Sequence, residues 1–185
     1  LAGYGDYFAI YPDAAAALLT RFRQLAGAEG QLLIGFDLKK DPQQLHAAYN
    51  DAAGITAAFN LNLLERLNRE LDAYFDTSRF RHYAFYNPTA GRIEMHLVSR
   101  RRQLVRIGDD FVCFAADEAL VSEYSHKYTQ ETFAAMAGAA GWHVGQVWTD
   151  PREWFSVQRL VADCSSISAG DRGCRVHAPR LSDTA

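Results

Sequence analysis

Residues 31–71 restrict the fold most tightly, because an apolar run leads there without a break into two helical patterns. The run, QLLIGFDL at Gln31–Leu38, carries a carboxylate near its end and suits a strand buried on both faces of a parallel sheet. Asp41 can then cap free backbone N–H groups, and Pro42 sits at a helix start, where its missing donor and fixed φ cost nothing. Leu45, Ala48, Tyr49 and Ala52 fall on one helical face, and Gly54 ends that helix. Thr56 can cap a second helix in which Phe59, Leu63, Leu67 and Leu71 recur every fourth residue. Asn60 and Asn62 are poor helix formers early in this helix. They read either as residues with partners at a domain junction or as ordinary polar residues of a first turn.

The segments on either side extend an α/β pattern. Pro12 and Asp13 open an alanine-rich helix with Leu18, Leu19, Phe22 and Leu25 inward, and Gly27 to Gly30 breaks it before the strand. The residues Phe85 to Pro88 and Gly91 mark a turn. Three short strands follow it: Arg92 to Val98, with Ile93, Met95 and Leu97 on one face, and then Gln103–Ile107 and Asp110–Ala115 as its antiparallel neighbours. Thr129 can cap a helix whose stripe of Phe133, Met136, Ala137 and Ala140 ends at Gly141. His143–Trp148 and Phe155–Val161 read as a hairpin closing the sheet edge. Residues 1–39 and 128–162 would then form one sheet domain and 40–127 an α+β insertion. Residues 163–185, polar and aperiodic, read as a disordered tail.

Composition removes several classes of function. A net charge of −3 gives no electrostatic case for nucleic acid or an anionic membrane, and Arg100 to Arg102, the only basic cluster, has no stacking platform beside it. No 18-residue apolar span and no signal-peptide pattern is present, so the expected location is cytoplasmic. Cys113, Cys164 and Cys174 are odd in number and lack CxxC spacing, which argues against a disulfide framework and a structural zinc site. The histidines form no HxxxH or HExxH pair, so no metal is expected.

Glu123 and Ser125, in the stretch SEYSHKY, are two residues apart and would point to the same side of a strand, roughly 7 Å apart. A carboxylate and a hydroxyl so placed can grip a ring that offers two nitrogens, though polar pairs at this spacing are also common on solvated strands.

Four stretches together carry a resemblance: the segment from Asp37 to Leu71, RIEMHLVS at Arg92–Ser99, SEYSHKY at Ser122–Tyr128, and WTDPREWFSVQRL at Trp148–Leu160. In this order they resemble the histidine-specific, S-adenosylmethionine-dependent methyltransferases that make trimethylhistidine (hercynine) on the way to ergothioneine. The resemblance implies that Glu123 and Ser125 hold the imidazole of L-histidine, that Tyr49 holds its carboxylate, and that Met95 packs beside the imidazole. It also implies S-adenosylmethionine as cofactor. Such a pocket needs no metal or acid–base triad, because the sulfonium already activates the methyl group. What remains is to hold a neutral amine in line with it, with aromatic walls that accept the methylammonium charge.

The ends depart from the family pattern. The glycine-rich cofactor turn and the first strands of a Rossmann-like sheet have no counterpart, and Ala9 falls where the family has an asparagine that contacts the substrate amine. The expectation is the C-terminal part of such an enzyme, from a truncated or frame-shifted reading of a longer gene, with an N-terminal half as the partner that completes the site. The alternatives are a non-catalytic histidine-binding module and a methyltransferase for another amino acid such as tryptophan.

Overall fold

The computed structural model describes residues 12–163. Ala9, Cys164, Cys174 and the tail at 164–185 lie outside the described residues.

Two antiparallel sheets, each with two helices on one face, make up most of this part of the chain. Helix α1 (Pro12–Ala26) leads to β1 (Gln31–Asp37), and α2 (Pro42–Tyr49) and α3 (Ile55–Glu70) follow. A 3₁₀ turn at Thr77–Arg79 enters β2 (Phe80–Asn87), then β3 (Arg92–Ser99), β4 (Gln103–Ile107), β5 (Asp110–Phe114) and β6 (Ala119–His126). Helix α4 (Gln130–Ala139) returns the chain to the first sheet through β7 (Trp142–Thr149) and β8 (Phe155–Ala162). The strand orders are β1-β8-β7 and β2-β3-β6, with β4-β5 as a separate hairpin.

In the first sheet Phe36, Leu38, Trp142, Leu160 and Ala162 meet Ala15 and Leu19 of α1 and Phe133 and Ala137 of α4. The Phe36 and Phe133 rings stack at 4.0 Å, and the Trp142 indole N–H donates to the Leu19 carbonyl at 2.9 Å, so a large buried side chain keeps its one polar group satisfied. Thr129 caps α4 as expected, in a capping box with Thr132.

Several sequence expectations are corrected. Strand β1 pairs antiparallel with β8, and among the described residues only one of its faces is covered: Leu32, Ile34 and Phe36 face the helices while Leu33 is 61% exposed. A short apolar run does not reveal whether one face or two will be covered. Leu25 is 77% exposed, because it lies beyond the last turn of α1 that packs on the sheet. Strand β3 lies between β2 and β6, not beside β4 and β5. The fully buried residues of α3 are Asn60 and Leu64; of the expected repeat, Leu63 and Leu67 pack against the apolar cluster around Leu64, while Phe59 and Leu71 are exposed. A strict four-residue repeat drifts around a helix of 3.6 residues per turn, so it cannot mark one face over the whole of α3.

The α2–α3 junction also differs. Helix α2 ends at Tyr49, short of Gly54, and Asp51, not Thr56, caps α3 by accepting from the Ile55 and Thr56 backbone N–H groups at 2.9 and 2.8 Å. Gly54 supplies the left-handed conformation of that turn, with φ of 71°.

Candidate functional site

The second sheet presents one face to α2 and α3, and the candidate residues gather on that face. Register places Met95 opposite Glu123 and Ile93 opposite Ser125. A β-bulge at Ser122 makes this possible. On its N-terminal side Leu120 pairs with Leu97 and packs into the apolar cluster around Leu64 and Phe80, while Val121 points outward. Regular alternation would then turn Glu123 away from that face. The extra residue resets the alternation, so Leu120, Glu123 and Ser125 all face the helices. The Ser122 hydroxyl, donating to the Met95 carbonyl at 3.0 Å, fastens the bulge.

Tyr49, the last residue of α2, is held over this face from β2. The Asn50 amide pairs with the backbone of Ala84 in both directions, donating to its carbonyl at 2.9 Å and accepting from its N–H at 3.2 Å. His82 donates through Nε2 to the Tyr49 carbonyl at 2.7 Å. The other ring nitrogen, Nδ1, is 2.9 Å from the Asn60 amide nitrogen, which also donates to the His96 carbonyl at 3.1 Å. A carbonyl can only accept, so Nε2 carries a proton and donates it to Tyr49. Of the two readings of Asn60, the structure therefore shows the one with partners. Asn62 is exposed at the groove described next.

The four candidate residues share this face. The Tyr49 hydroxyl and Ser125 Oγ are 2.9 Å apart. Met95 is buried with Leu45, Ala84 and Ile93. Glu123 lines an open groove with Ser122 and with Phe59, Asn60, Leu63 and Arg66 of α3. Lys127 was not foreseen. Its side chain is 1% exposed, and its Nζ reaches Tyr49 Oη at 2.7 Å, Ser125 Oγ at 2.9 Å and Asp37 Oδ2 at 2.9 Å. It also lies 4.7 Å from the Tyr49 ring centroid. The sequence signal was its parity with 123 and 125, which places it next along the same face.

The outward face of the sheet is chemically different. Arg92 stacks on Tyr124 at 3.5 Å and bonds to Glu94 at 2.9 Å. Burial pushes the Glu94 carboxyl up, but hydrogen bonds from Arg92 and Asn87 and the Arg92 charge outweigh it, and the carboxyl lies below its ordinary value.

The sheet face carries a groove with the Glu123 carboxylate at its wall and, farther along β6, the Tyr49–Ser125 hydroxyl pair, with no hydrolytic triad among the described residues. It can hold a small molecule that offers ring N–H groups and a hydrogen-bond acceptor. Residues 8–162 match the profile of the histidine-specific, S-adenosylmethionine-dependent methyltransferases. The chain belongs to this family. It is 46% identical to the histidine N-alpha-methyltransferase of Mycolicibacterium smegmatis over 132 residues, covering 70% of this chain and 41% of that protein. To the histidine N-alpha-methyltransferase of Mycobacterium tuberculosis it is 42% identical over 141 residues, 75% of this chain and 44% of that one. A more distant relative, the L-tryptophan methyltransferase of Psilocybe serbica, is 25% identical over 134 residues, 71% of this chain and 37% of that protein. The chain thus spans about two fifths of the length of the curated histidine methyltransferases it matches.

S-adenosylmethionine is the cofactor of the family, and the start of α2 does not offer it a nucleotide cradle. Strand β1 runs into Leu38, Lys39, Lys40 and Asp41 before α2, where a cofactor-binding turn would need glycines and free N–H groups at a helix start. Asp41 and Pro42 occupy that helix start instead.

Proposed function

We propose that this chain provides the substrate-recognising part of a histidine Nα-methyltransferase, which carries the α-amine of L-histidine to trimethylhistidine (hercynine). Residues 40–127 act as the substrate-binding insertion in a Rossmann-like sheet to which 1–39 and 128–162 contribute. The observation that carries this reading is the convergence of Tyr49, Met95, Glu123 and Ser125 on one sheet face, with the bulge at Ser122 directing Glu123 into the groove.

In this reading Glu123 accepts one imidazole N–H, Met95 packs beside the ring, Ser125 accepts the other ring N–H, and Tyr49 donates to the carboxylate. S-adenosylmethionine, when bound, supplies an electrophilic methyl group. The residues described here fix the substrate at the end away from its amine, so binding energy remote from the reacting atom serves alignment.

The reading is tested by titrating the 185-residue chain calorimetrically with L-histidine, L-tryptophan and S-adenosylhomocysteine. Histidine binding in clear preference to tryptophan supports it. Tryptophan binding as tight as histidine points to the amino-acid class of the Psilocybe relative, and a folded chain that binds neither amino acid defeats the assignment. Binding of histidine without S-adenosylhomocysteine favours a second reading, a histidine-binding module.

A further inference from the structure

Lys127 occupies a position where a charged side chain is costly, with 1% of it exposed, and each of its polar contacts is with a residue of the site or its support. An ammonium has three protons, and Tyr49 Oη, Ser125 Oγ and Asp37 Oδ2 offer three oxygens at 2.7, 2.9 and 2.9 Å. Tyr49 Oη and Ser125 Oγ also bond to each other, which uses one of their two hydroxyl protons. Lys127 already fills an acceptor position on each oxygen. Whichever hydroxyl donates to its neighbour, the pair therefore has one proton and a single acceptor position left to offer. With no lysine at 127, three acceptor positions would be open and the outgoing proton would lose its fixed direction.

We propose that Lys127 is a positioning residue that, by occupying an acceptor position on both oxygens, turns the free proton of the Tyr49–Ser125 pair outward, so that the pair takes the carboxylate of an amino-acid substrate and disfavours the decarboxylated amine. This inference rests on the histidine reading. Asp37 completes the device. It holds the ammonium at the end of β1, so the direction of the donated proton is referred to the first sheet, and Lys40 shares the Asp37 carboxylate from the outer side.

The test compares L-histidine with histamine, which keeps the imidazole and amine and lacks the carboxylate. Wild type binds histidine more tightly, and Lys127→Met loses roughly tenfold to a hundredfold on histidine while histamine affinity stays within about twofold. A general distortion of the groove would weaken both ligands together. In a Tyr49→Phe background the same Lys127→Met change costs much less, because the oxygen it orients is gone. Equal losses on both ligands, or full additivity with Tyr49→Phe, overturn the inference and leave the histidine reading standing. A wild-type chain that binds neither ligand overturns both. A second measurement needs no variant: in ¹H–¹⁵N spectra of lysine ammonium groups, the buried Lys127 resonance shifts on adding histidine and stays in place with histamine. The same shift with both ligands counts against the inference.

Discussion

The Asp37 carboxylate and the Lys127 ammonium meet at 2.9 Å, and this ion pair ties the end of β1 in one sheet to the residue that follows β6 in the other. Beside it, the Lys39 N–H donates to the Tyr128 carbonyl at 2.9 Å and the Tyr128 N–H to the Asp37 carbonyl at 3.3 Å. The two chain crossings between the sheets thus lie side by side, and the hydroxyl pair of the candidate site sits directly on that junction.

Breaking this pair from the acidic side strands a buried charge. Asp37→Ala is expected to cost about 3 kcal/mol in urea unfolding, since removing one partner leaves the other desolvated and uncompensated. The double variant Asp37→Ala/Lys127→Met should be more stable than Asp37→Ala alone. A double variant less stable than the single one would show that the pair contributes mainly through the packing of the lysine stem.

Asn60 joins α3 to β2 and β3 with both protons of its amide. Asn60→Ala leaves His82 Nδ1 and the His96 carbonyl without that donor in a buried setting, at a cost of about 1–3 kcal/mol. Thermal unfolding followed by circular dichroism measures this, and Asn62→Ala, on the exposed side of the same helix, serves as the comparison with little change expected. A similar small change for both variants would remove the assigned role of Asn60.

The start of α3 is sensitive to acid. Hydrogen bonds from the side chain and backbone of Thr56 and the backbone of Ile55 hold the Asp51 carboxyl down at about 2, from an ordinary value of 3.8. A group depressed on folding stabilises the native state above its unfolded pKa and loses that contribution as pH falls through the folded one. The stability difference between wild type and Asp51→Asn should therefore be constant above about pH 4 and shrink between about pH 4 and 2. A difference that does not change across this window would rule out Asp51 as the charged cap.

Much of this arrangement was visible in the sequence, and the failures have physical causes. Arg92–Ser99 announced itself as a strand because apolar and polar residues alternate along most of it. The neighbouring Phe80–Asn87 did not, because its inward positions are Phe80, His82, Ala84 and Tyr86, and a histidine satisfied by Asn60 does not look like a core residue. In the same way the four-residue repeat of α3 holds at Leu63 and Leu67, which pack on the core, and fails at Phe59 and Leu71, since the fully buried stripe begins with an asparagine. The resemblance selected Tyr49, Met95, Glu123 and Ser125. No periodicity argument would have shown the bulge that brings Glu123 to their face, because one inserted residue leaves no mark in composition. Lys127 escaped notice because an isolated lysine reads as solvated until its three acceptors are seen together.

The most direct measurement is calorimetric titration of L-histidine into the 185-residue chain and into Glu123→Ala. Glu123 lines the groove on α3, away from the Lys127 junction, so its truncation tests recognition with the hydroxyl pair left in place. Wild type is predicted to bind histidine, and Glu123→Ala to bind at least about tenfold more weakly, as expected for the loss of a charge-assisted hydrogen bond. Equal affinity in a folded variant would contradict the account, because histidine would then be held somewhere other than the face that Glu123, Ser125, Met95 and Tyr49 share.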